Sequence, residues 1–87
     1  MPHTADDTLT HAVAELVAQA TDGIIDAPAA RAADQSFADA GMTSLSFLRL
    51  VDALEIRYGV EIDLENDIDA MRTVALIVEY LRAKGLS

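Results

Sequence analysis

Residues 41–55 read GMTSLSFLRLVDALE, and this stretch decides how the rest of the chain is interpreted. After Thr43 and Ser44, apolar residues recur at spacings of three and four, which is typical of one face of a helix. Thr43 is a good N-cap residue, so the pattern predicts a helix from Ser44 to about Tyr58 with Gly59 as its stop. The cap would leave the Ser44 side chain free at the first helical position. The residues predicted to face inward are Leu45, Leu48, Val51, Ala53, Leu54 and Tyr58.

One further helix is predicted on each side of this one. The spacing of apolar residues indicates a first helix over residues 7–20, with Thr21, Asp22 and Gly23 as its end. Residues suited to cap its start are Asp6, Asp7 and Thr8. Thr73 can cap a last helix that Gly85 ends. The inward face of that last helix would carry Val74, Ile77, Val78 and Leu81.

The segments between the helices carry weaker signals. The first connection spans about twenty residues, a length that is uncommon in compact domains and often functional. A short helical turn from Ala29 to Ala33 is possible there, and the residues expected to pin the connection to the core are Ile24, Ile25 and Phe37. After Gly59, VEIDLENDID alternates apolar and acidic residues, but one isolated strand would have no partner. An extended loop and a helical turn from Asn66 to Ala70 are predicted instead.

Together these elements predict an all-α fold. It is a small four-helix bundle, with three main helices, one short helix and a long first loop. A chain of 87 residues forms one domain, residues 1–87, with flexible ends at about 1–6 and 85–87.

The amino-acid composition limits which partners and which cellular compartment are expected. The net charge of -9 repels phosphate backbones and anionic lipids, so neither nucleic acid nor a membrane surface is an expected partner. No targeting signal and no apolar run of roughly 18 residues is found. The lack of cysteine removes disulfides, so a reduced cytoplasm is the expected location. The sequence does not determine the oligomeric state, and a monomer is the default expectation.

No catalytic or metal-binding motif is present. His3 and His11 lack the spacing of a metal site. The alternating acidic residues from Glu61 to Asp69 resemble a calcium loop only superficially, because the glycine at the sixth position and the glutamate at the twelfth are missing. Stand-alone catalysis is therefore not expected.

A longer stretch, residues 36–62, reads SFADAGMTSLSFLRLVDALEIRYGVEI and resembles the core signature of acyl and peptidyl carrier proteins. The likeness extends weakly to both ends through the preceding helix and the closing TVALIVEYLRAKG, so it covers nearly the whole chain. The positions in register are Phe37, Gly41, Ser44, Leu45, Leu48, Leu50, Val51, Leu54, Glu55, Tyr58, Gly59 and Ile62.

The resemblance implies a carrier without catalytic activity of its own. A phosphopantetheinyl transferase would move 4'-phosphopantetheine from coenzyme A to Ser44, giving an arm whose thiol holds acyl or aminoacyl groups as thioesters. The implied partners are that transferase, a loading ligase, adenylating enzyme or acyltransferase, and downstream ketosynthase, condensation or tailoring enzymes. The residues leave acyl and aminoacyl cargo open.

Several positions depart from the common acyl-carrier pattern. Thr43 stands where Asp is usual and Ala40 where Leu is usual, while Arg49 and Arg57 give a normally acidic helix a mixed charge. The departures disfavour a housekeeping role in fatty-acid synthesis and suggest a free-standing carrier of a specialised polyketide or nonribosomal peptide pathway. The residues expected to contact partners are Met42, Thr43, Leu45, Phe47, Arg49, Ile56 and Arg57. An alternative from another class is a helical interaction or adaptor module that keeps this fold but is never modified.

Overall fold

The computed structural model describes residues 4–32 and 36–86. Their helices are α1 (Thr4–Ala20), α2 (Ala27–Ala32), α3 (Ser44–Tyr58), α4 (Leu64–Asp67) and α5 (Val74–Ala83), with a 3-10 turn (Ile68–Met71) between α4 and α5. No strand occurs within these residues. The fold is all-α and forms a small helical globule, which confirms the predicted class.

Helix α1 is the central element of the bundle, because it packs against α2, α3 and α5. Its apolar face is buried as predicted, and the buried residues are Leu9, Val13, Ala14, Leu16, Val17 and Ala20. The predicted caps are wrong, since α1 already begins at Thr4 and places Asp6, Asp7 and Thr8 within the helix. Acidic residues favour a first turn through the helix dipole whether or not they cap it, so their position alone does not fix the start. Of the ends predicted to be flexible, residues 4–6 belong to α1, whereas 1–3 and 87 lie outside the described residues.

The first connection contains a short helix that starts earlier than predicted. The Asp26 carboxylate accepts a hydrogen bond from the Ala29 N–H at 2.9 Å and caps α2. Pro28 fits the first turn because its missing N–H is not needed there. The helix therefore begins at Ala27 rather than Ala29, and the predicted end at Ala33 lies outside the described residues.

Of the three apolar residues expected to pin this connection, two are buried and one is not. Ile25 and Phe37 are buried, whereas Ile24 is 68% exposed. The reason is Thr21, which is itself buried and whose hydroxyl accepts a hydrogen bond from the Ile25 N–H at 3.2 Å. This local turn directs Ile25 inward and leaves the preceding side chain outside.

Helix α3 has the predicted bounds but a different inward face. Its buried residues are Leu50, Val51 and Leu54. Leu45 and Leu48 are 60% and 53% exposed, so their predicted inward orientation is wrong. Phe47, predicted to lie off the inward face, instead packs partly buried against the core. The helix carries more apolar residues than one face can bury, and the stripe through positions 47, 50, 54 and 58 is the one that lies in or against the core.

The chain after α3 is held by side chains at its turns. Gly59, at φ 65°, ends α3 as predicted and donates its N–H to the Glu55 carbonyl at 2.9 Å. The Glu55 carboxylate accepts the Ile62 N–H at 2.9 Å, and Asp63 caps α4 through the Glu65 N–H at 3.0 Å. The helical turn thus begins at Leu64 rather than at the predicted Asn66, because the capping residue stands earlier in the sequence.

Helix α5 matches its prediction. The Thr73 hydroxyl accepts the Leu76 N–H at 3.1 Å and caps the helix. The predicted inward residues Val74, Ile77, Val78 and Leu81 are all buried. Together with α1 and the inward stripe of α3, this face completes the core.

Candidate functional site

The segment that leads into α3 is a tight turn over residues 37–42. The carbonyl of the buried Phe37 accepts hydrogen bonds from the N–H groups of Ala40 at 3.1 Å and Met42 at 2.9 Å. Gly41 has φ 101°, a conformation that side-chain-bearing residues rarely adopt. The turn therefore delivers the chain to Thr43 along a defined path.

Thr43 is the N-cap of α3, as predicted. Its backbone is extended, with φ -83° and ψ 166°, and its hydroxyl accepts the Ser46 N–H at 3.1 Å. The Thr43 carbonyl accepts the Phe47 N–H at 2.9 Å, the first bond of the helix. One orphan donor of the first turn is thereby satisfied by a side chain.

Ser44 is the first residue of α3, and its side chain is exposed. Its hydroxyl makes no hydrogen bond to any residue that the structure describes. The backbone N–H groups of Ser44 and Leu45 have no acceptor within the helix, and they lie at the positive end of the helix dipole. An anionic phosphate group is favoured at such a position.

A serine becomes a nucleophile only when a neighbouring base removes its proton. No base is hydrogen-bonded to the Ser44 hydroxyl among the described residues. The described residues therefore supply no hydrogen-bonded base to Ser44.

A cavity of about 670 Å³ lies beside Ser44, between the start of α3 and the segment that carries α4 and the 3-10 turn. Most of its lining is apolar and comes from Phe37, Ala38, Met42, Phe47, Leu48, Leu64, Ile68 and Met71. Its polar lining comes from Ser36, Asp39, Thr43, Ser44, Asp69 and Arg72. The site thus joins an accessible hydroxyl to an apolar groove.

The residues predicted to contact partners fall into two groups in the structure. Met42, Thr43 and Phe47 line the cavity with Ser44, although Met42 and Phe47 also pack on the core. Leu45 and Ile56 are exposed on the outer side of α3.

The two arginines of that group also lie on α3. The guanidinium of Arg49 lies 3.7 Å from the Asp22 carboxylate, and that of Arg57 lies 5.9 Å from the Tyr58 ring centroid. Both side chains belong to the part of α3 that is exposed. Contact with partner proteins stays a prediction for all seven residues.

One side of the cavity was not predicted from the sequence. Ile68 and Arg72 belong to the segment around the 3-10 turn, and neither periodicity nor a motif linked them to Ser44. Leu48 was assigned to the core, so its place in the groove was also missed. Only the tertiary structure brings these residues to the serine.

No metal centre is formed by the described residues, because no group of three or more His, Cys, Asp or Glu side chains is placed to hold an ion. Of the two histidines, His11 lies 3.5 Å from the Glu15 carboxylate, whereas His3 lies outside the described residues. In the same part of the chain, no helix is long and apolar enough to cross a membrane.

Comparison with known families identifies the family of the chain. A family model described as the phosphopantetheine attachment site matches residues 11–81, which include α3 and the groove. The chain belongs to the phosphopantetheine-binding family of acyl and peptidyl carrier proteins. Comparisons with curated proteins and with solved structures give no significant match. The cofactor of this carrier family is covalent 4'-phosphopantetheine.

The residues at the start of α3 fit this cofactor. The family's attachment chemistry needs an accessible hydroxyl, which Ser44 offers at a helix N-terminus with uncommitted N–H groups. A phosphodiester there would be held by the first turn of α3, and an arm would meet the apolar lining provided by Phe47, Leu48 and Ile68.

Proposed function

We propose that this protein is a carrier domain modified at Ser44 and that it presents tethered biosynthetic intermediates to partner enzymes. The observation that carries the proposal is the uncommitted Ser44 hydroxyl at the first turn of α3, inside the region that the family model matches. When bound, 4'-phosphopantetheine supplies a terminal thiol that holds acyl or aminoacyl groups as thioesters. The cysteine-free chain has no thiol of its own.

The residues of the chain have separate tasks in this function. Thr43 fixes the first turn of α3 by capping it, so the Ser44 hydroxyl is presented outward at a constant position. The free N–H groups of the first turn stabilise the anionic phosphodiester. Because no base among the described residues is hydrogen-bonded to Ser44, we propose that a phosphopantetheinyl transferase activates the hydroxyl during attachment. The domain itself makes no bond; it raises the effective concentration of its cargo at each partner.

The surface near Ser44 supports a specialised role. The exposed side of α3 carries Leu45, Arg49 and Ile56, so it combines apolar and basic groups within a chain of net charge -9. Enzymes with strongly basic docking surfaces are attracted less by such a face than by an acidic one. We propose that it docks a loading ligase, adenylating enzyme or acyltransferase and later a ketosynthase, condensation or tailoring enzyme of a polyketide or nonribosomal peptide pathway. The further contact residues proposed are Met42, Thr43, Phe47 and Arg57.

A mass measurement tests the attachment. The purified chain is incubated with coenzyme A and a broad-specificity phosphopantetheinyl transferase, and the expected result is a gain of one phosphopantetheine. Ser44→Ala should show no gain, because it lacks the acceptor oxygen. Ser46→Ala is the matched control: it removes a serine hydroxyl two positions away, and it should be modified like the unsubstituted chain.

Two results would count against the proposal. One is an unchanged mass in the unsubstituted chain, which would favour an adaptor that is never modified. The other is an equal gain of mass in the Ser44→Ala variant, which would place the arm on another residue.

A further inference from the structure

We propose that Arg72 is a positioning residue for the arm, and that its guanidinium pairs with the phosphodiester formed at Ser44. This inference rests on the proposed attachment at Ser44. It concerns a residue that is distant from Ser44 in sequence and that the structure brings to the same cavity.

Arg72 brings a positive charge to the cavity beside Ser44. Among the described residues that line the cavity, it is the only one with a cationic side chain. Asp39 and Asp69 line the same cavity, and the whole chain carries a net charge of -9. A phosphodiester added at Ser44 therefore enters a negative environment in which Arg72 is the cationic side chain that lines the same cavity.

The backbone of Arg72 is fixed relative to Ser44 through one buried residue. The Phe37 N–H donates to the Arg72 carbonyl at 2.8 Å, and the Phe37 carbonyl accepts the Met42 N–H at 2.9 Å. Met42 is followed directly by the cap residue Thr43 and by Ser44. Two consecutive backbone hydrogen bonds thus connect the residue that carries the guanidinium with the turn that presents the serine. Because Phe37 is 3% exposed, solvent does not compete for these bonds.

The guanidinium is available for a new partner. In the structure it lies 3.8 Å from the Asp69 carboxylate, and the two side chains are 59% and 90% exposed. Exposed ion pairs at such distances contribute little stability. A guanidinium forms stronger, often bidentate, hydrogen bonds with phosphate oxygens. We therefore expect Arg72 to exchange Asp69 for the phosphodiester.

This pairing would set the direction of the arm. Ile68 and Arg72 reach the cavity from the segment around the 3-10 turn, whereas Phe47 and Leu48 reach it from α3. An arm whose phosphodiester is drawn toward Arg72 starts along this apolar groove rather than into solvent. Arg72 would thereby determine how often the arm occupies the groove.

The test compares the apo and modified forms by ¹H–¹⁵N NMR, after mass measurement has shown that the arm is attached. In the unsubstituted protein, modification should shift the amide signals of Leu48 and Ile68. These shifts should be lost in Arg72→Gln and largely kept in Arg72→Lys, which retains the positive charge. Arg49→Gln is the matched control, because Arg49 is similarly exposed and is paired with Asp22 at 3.7 Å but does not line the cavity. It should keep the shifts.

Two outcomes would overturn the inference: undiminished shifts in Arg72→Gln, or an equal loss in Arg49→Gln. Absence of the arm itself would instead contradict the proposed attachment, and the inference with it. The contact between Arg72 and the phosphodiester can also be tested without a substitution, so the test does not depend on a variant that folds. Adding NaCl to the modified, unsubstituted protein should progressively reduce the Leu48 and Ile68 shifts through screening, and shifts that do not respond to salt would contradict the pairing.

Discussion

At the scale of single residues, Thr43 and Ser44 are neighbouring hydroxyl groups in different environments. The Thr43 hydroxyl accepts the Ser46 N–H at 3.1 Å, whereas the Ser44 hydroxyl has no hydrogen-bond partner in the described part of the chain. One group stabilises the helix, whereas the other makes no hydrogen bond among the described residues. An aspartate at position 43 would also cap the helix, but it would add a negative charge beside the serine.

The two tyrosines form a second informative pair. The Tyr58 hydroxyl is buried without a hydrogen-bond partner among the described residues. The Tyr80 hydroxyl lies 3.2 Å from the Glu61 carbonyl oxygen and 3.1 Å from a carboxylate oxygen of Asp67. Burial raises the pKa of Tyr58, and the positive charge of Arg57 opposes that rise. Burial also raises the pKa of Tyr80, together with the hydrogen bond to Asp67 and the surrounding carboxylates.

We predict opposite effects for Tyr58→Phe and Tyr80→Phe. Removing the unpartnered Tyr58 hydroxyl eliminates the cost of burying a polar group without a hydrogen bond. The free energy of unfolding should therefore stay the same or rise by up to about 1 kcal/mol. Removing the Tyr80 hydroxyl deletes contacts that join α5 to the segment after α3 and should cost about 1 kcal/mol. Urea unfolding of the two variants at neutral pH measures both values. A decrease in the free energy of unfolding in Tyr58→Phe as large as that in Tyr80→Phe would contradict the hydrogen-bonding roles assigned to the two hydroxyls.

The same pair predicts a response to alkaline pH. Because both pKa values are raised above 10.0, the folded state holds these protons more tightly than the unfolded state does. The resulting stabilisation is complete below pH 10 and is lost as the pH rises through the folded-state pKa values. The unfolding free energy of the unsubstituted chain should therefore fall above about pH 10, and Tyr80→Phe should show a smaller fall.

At the scale of elements, α3 presents a buried stripe to the core and a second apolar set to the groove and solvent. Leu50 is 0% exposed, whereas Leu48, two positions earlier on the same helix, is 53% exposed. Residues two apart on a helix point in very different directions, so only one of them can meet α1. The other becomes part of the wall beside Ser44.

This difference predicts the outcome of two equal truncations. Leu50→Ala should lower the free energy of unfolding by about 2–5 kcal/mol, because it leaves a cavity in the core. Leu48→Ala should change it by no more than about 0.5 kcal/mol. Urea unfolding curves of the two variants, with Leu45→Ala as a second exposed control, decide the question. Similar losses in Leu48→Ala and Leu50→Ala would show that the inward stripe is assigned wrongly.

Periodicity and caps were sufficient to predict the existence of the main helices. Thr43, Gly59 and Thr73 are local signals, and each one ends or begins a helix where the sequence indicates. The inward face of α3 could not be read in the same way, because apolar residues surround much of that helix. The presence of Ser44, Ile68 and Arg72 in one cavity could not be predicted from the sequence either, since it depends on how the 3-10 turn packs.

At the scale of the whole molecule, repulsion among the acidic side chains opposes the compact folded state. The chain has fifteen acidic and six basic side chains. Two exposed ion pairs, Arg49 with Asp22 and Arg72 with Asp69, have N to O distances of 3.7 and 3.8 Å. Such exposed pairs offset little of the repulsion among the carboxylates.

We therefore predict that salt stabilises the protein at neutral pH. Raising NaCl from about 0.01 M to about 0.5 M shortens the screening length and should increase the unfolding free energy by up to about 1 kcal/mol. Thermal or urea unfolding measures the effect. The same salt increase near pH 4, where many carboxylates are protonated, should have a much smaller effect. Destabilisation by salt at neutral pH would contradict the prediction.

The packing of Phe37 affects how long the geometry around Ser44 persists. Its N–H and its carbonyl connect the turn before α5 with the turn before α3, and its side chain is buried in the core. A fluctuation that withdraws Phe37 breaks both connections at once, so the two turns open together as one unit of local unfolding. The lifetime of the geometry around Ser44 is then set by the packing of Phe37, and less by the strength of α3 itself.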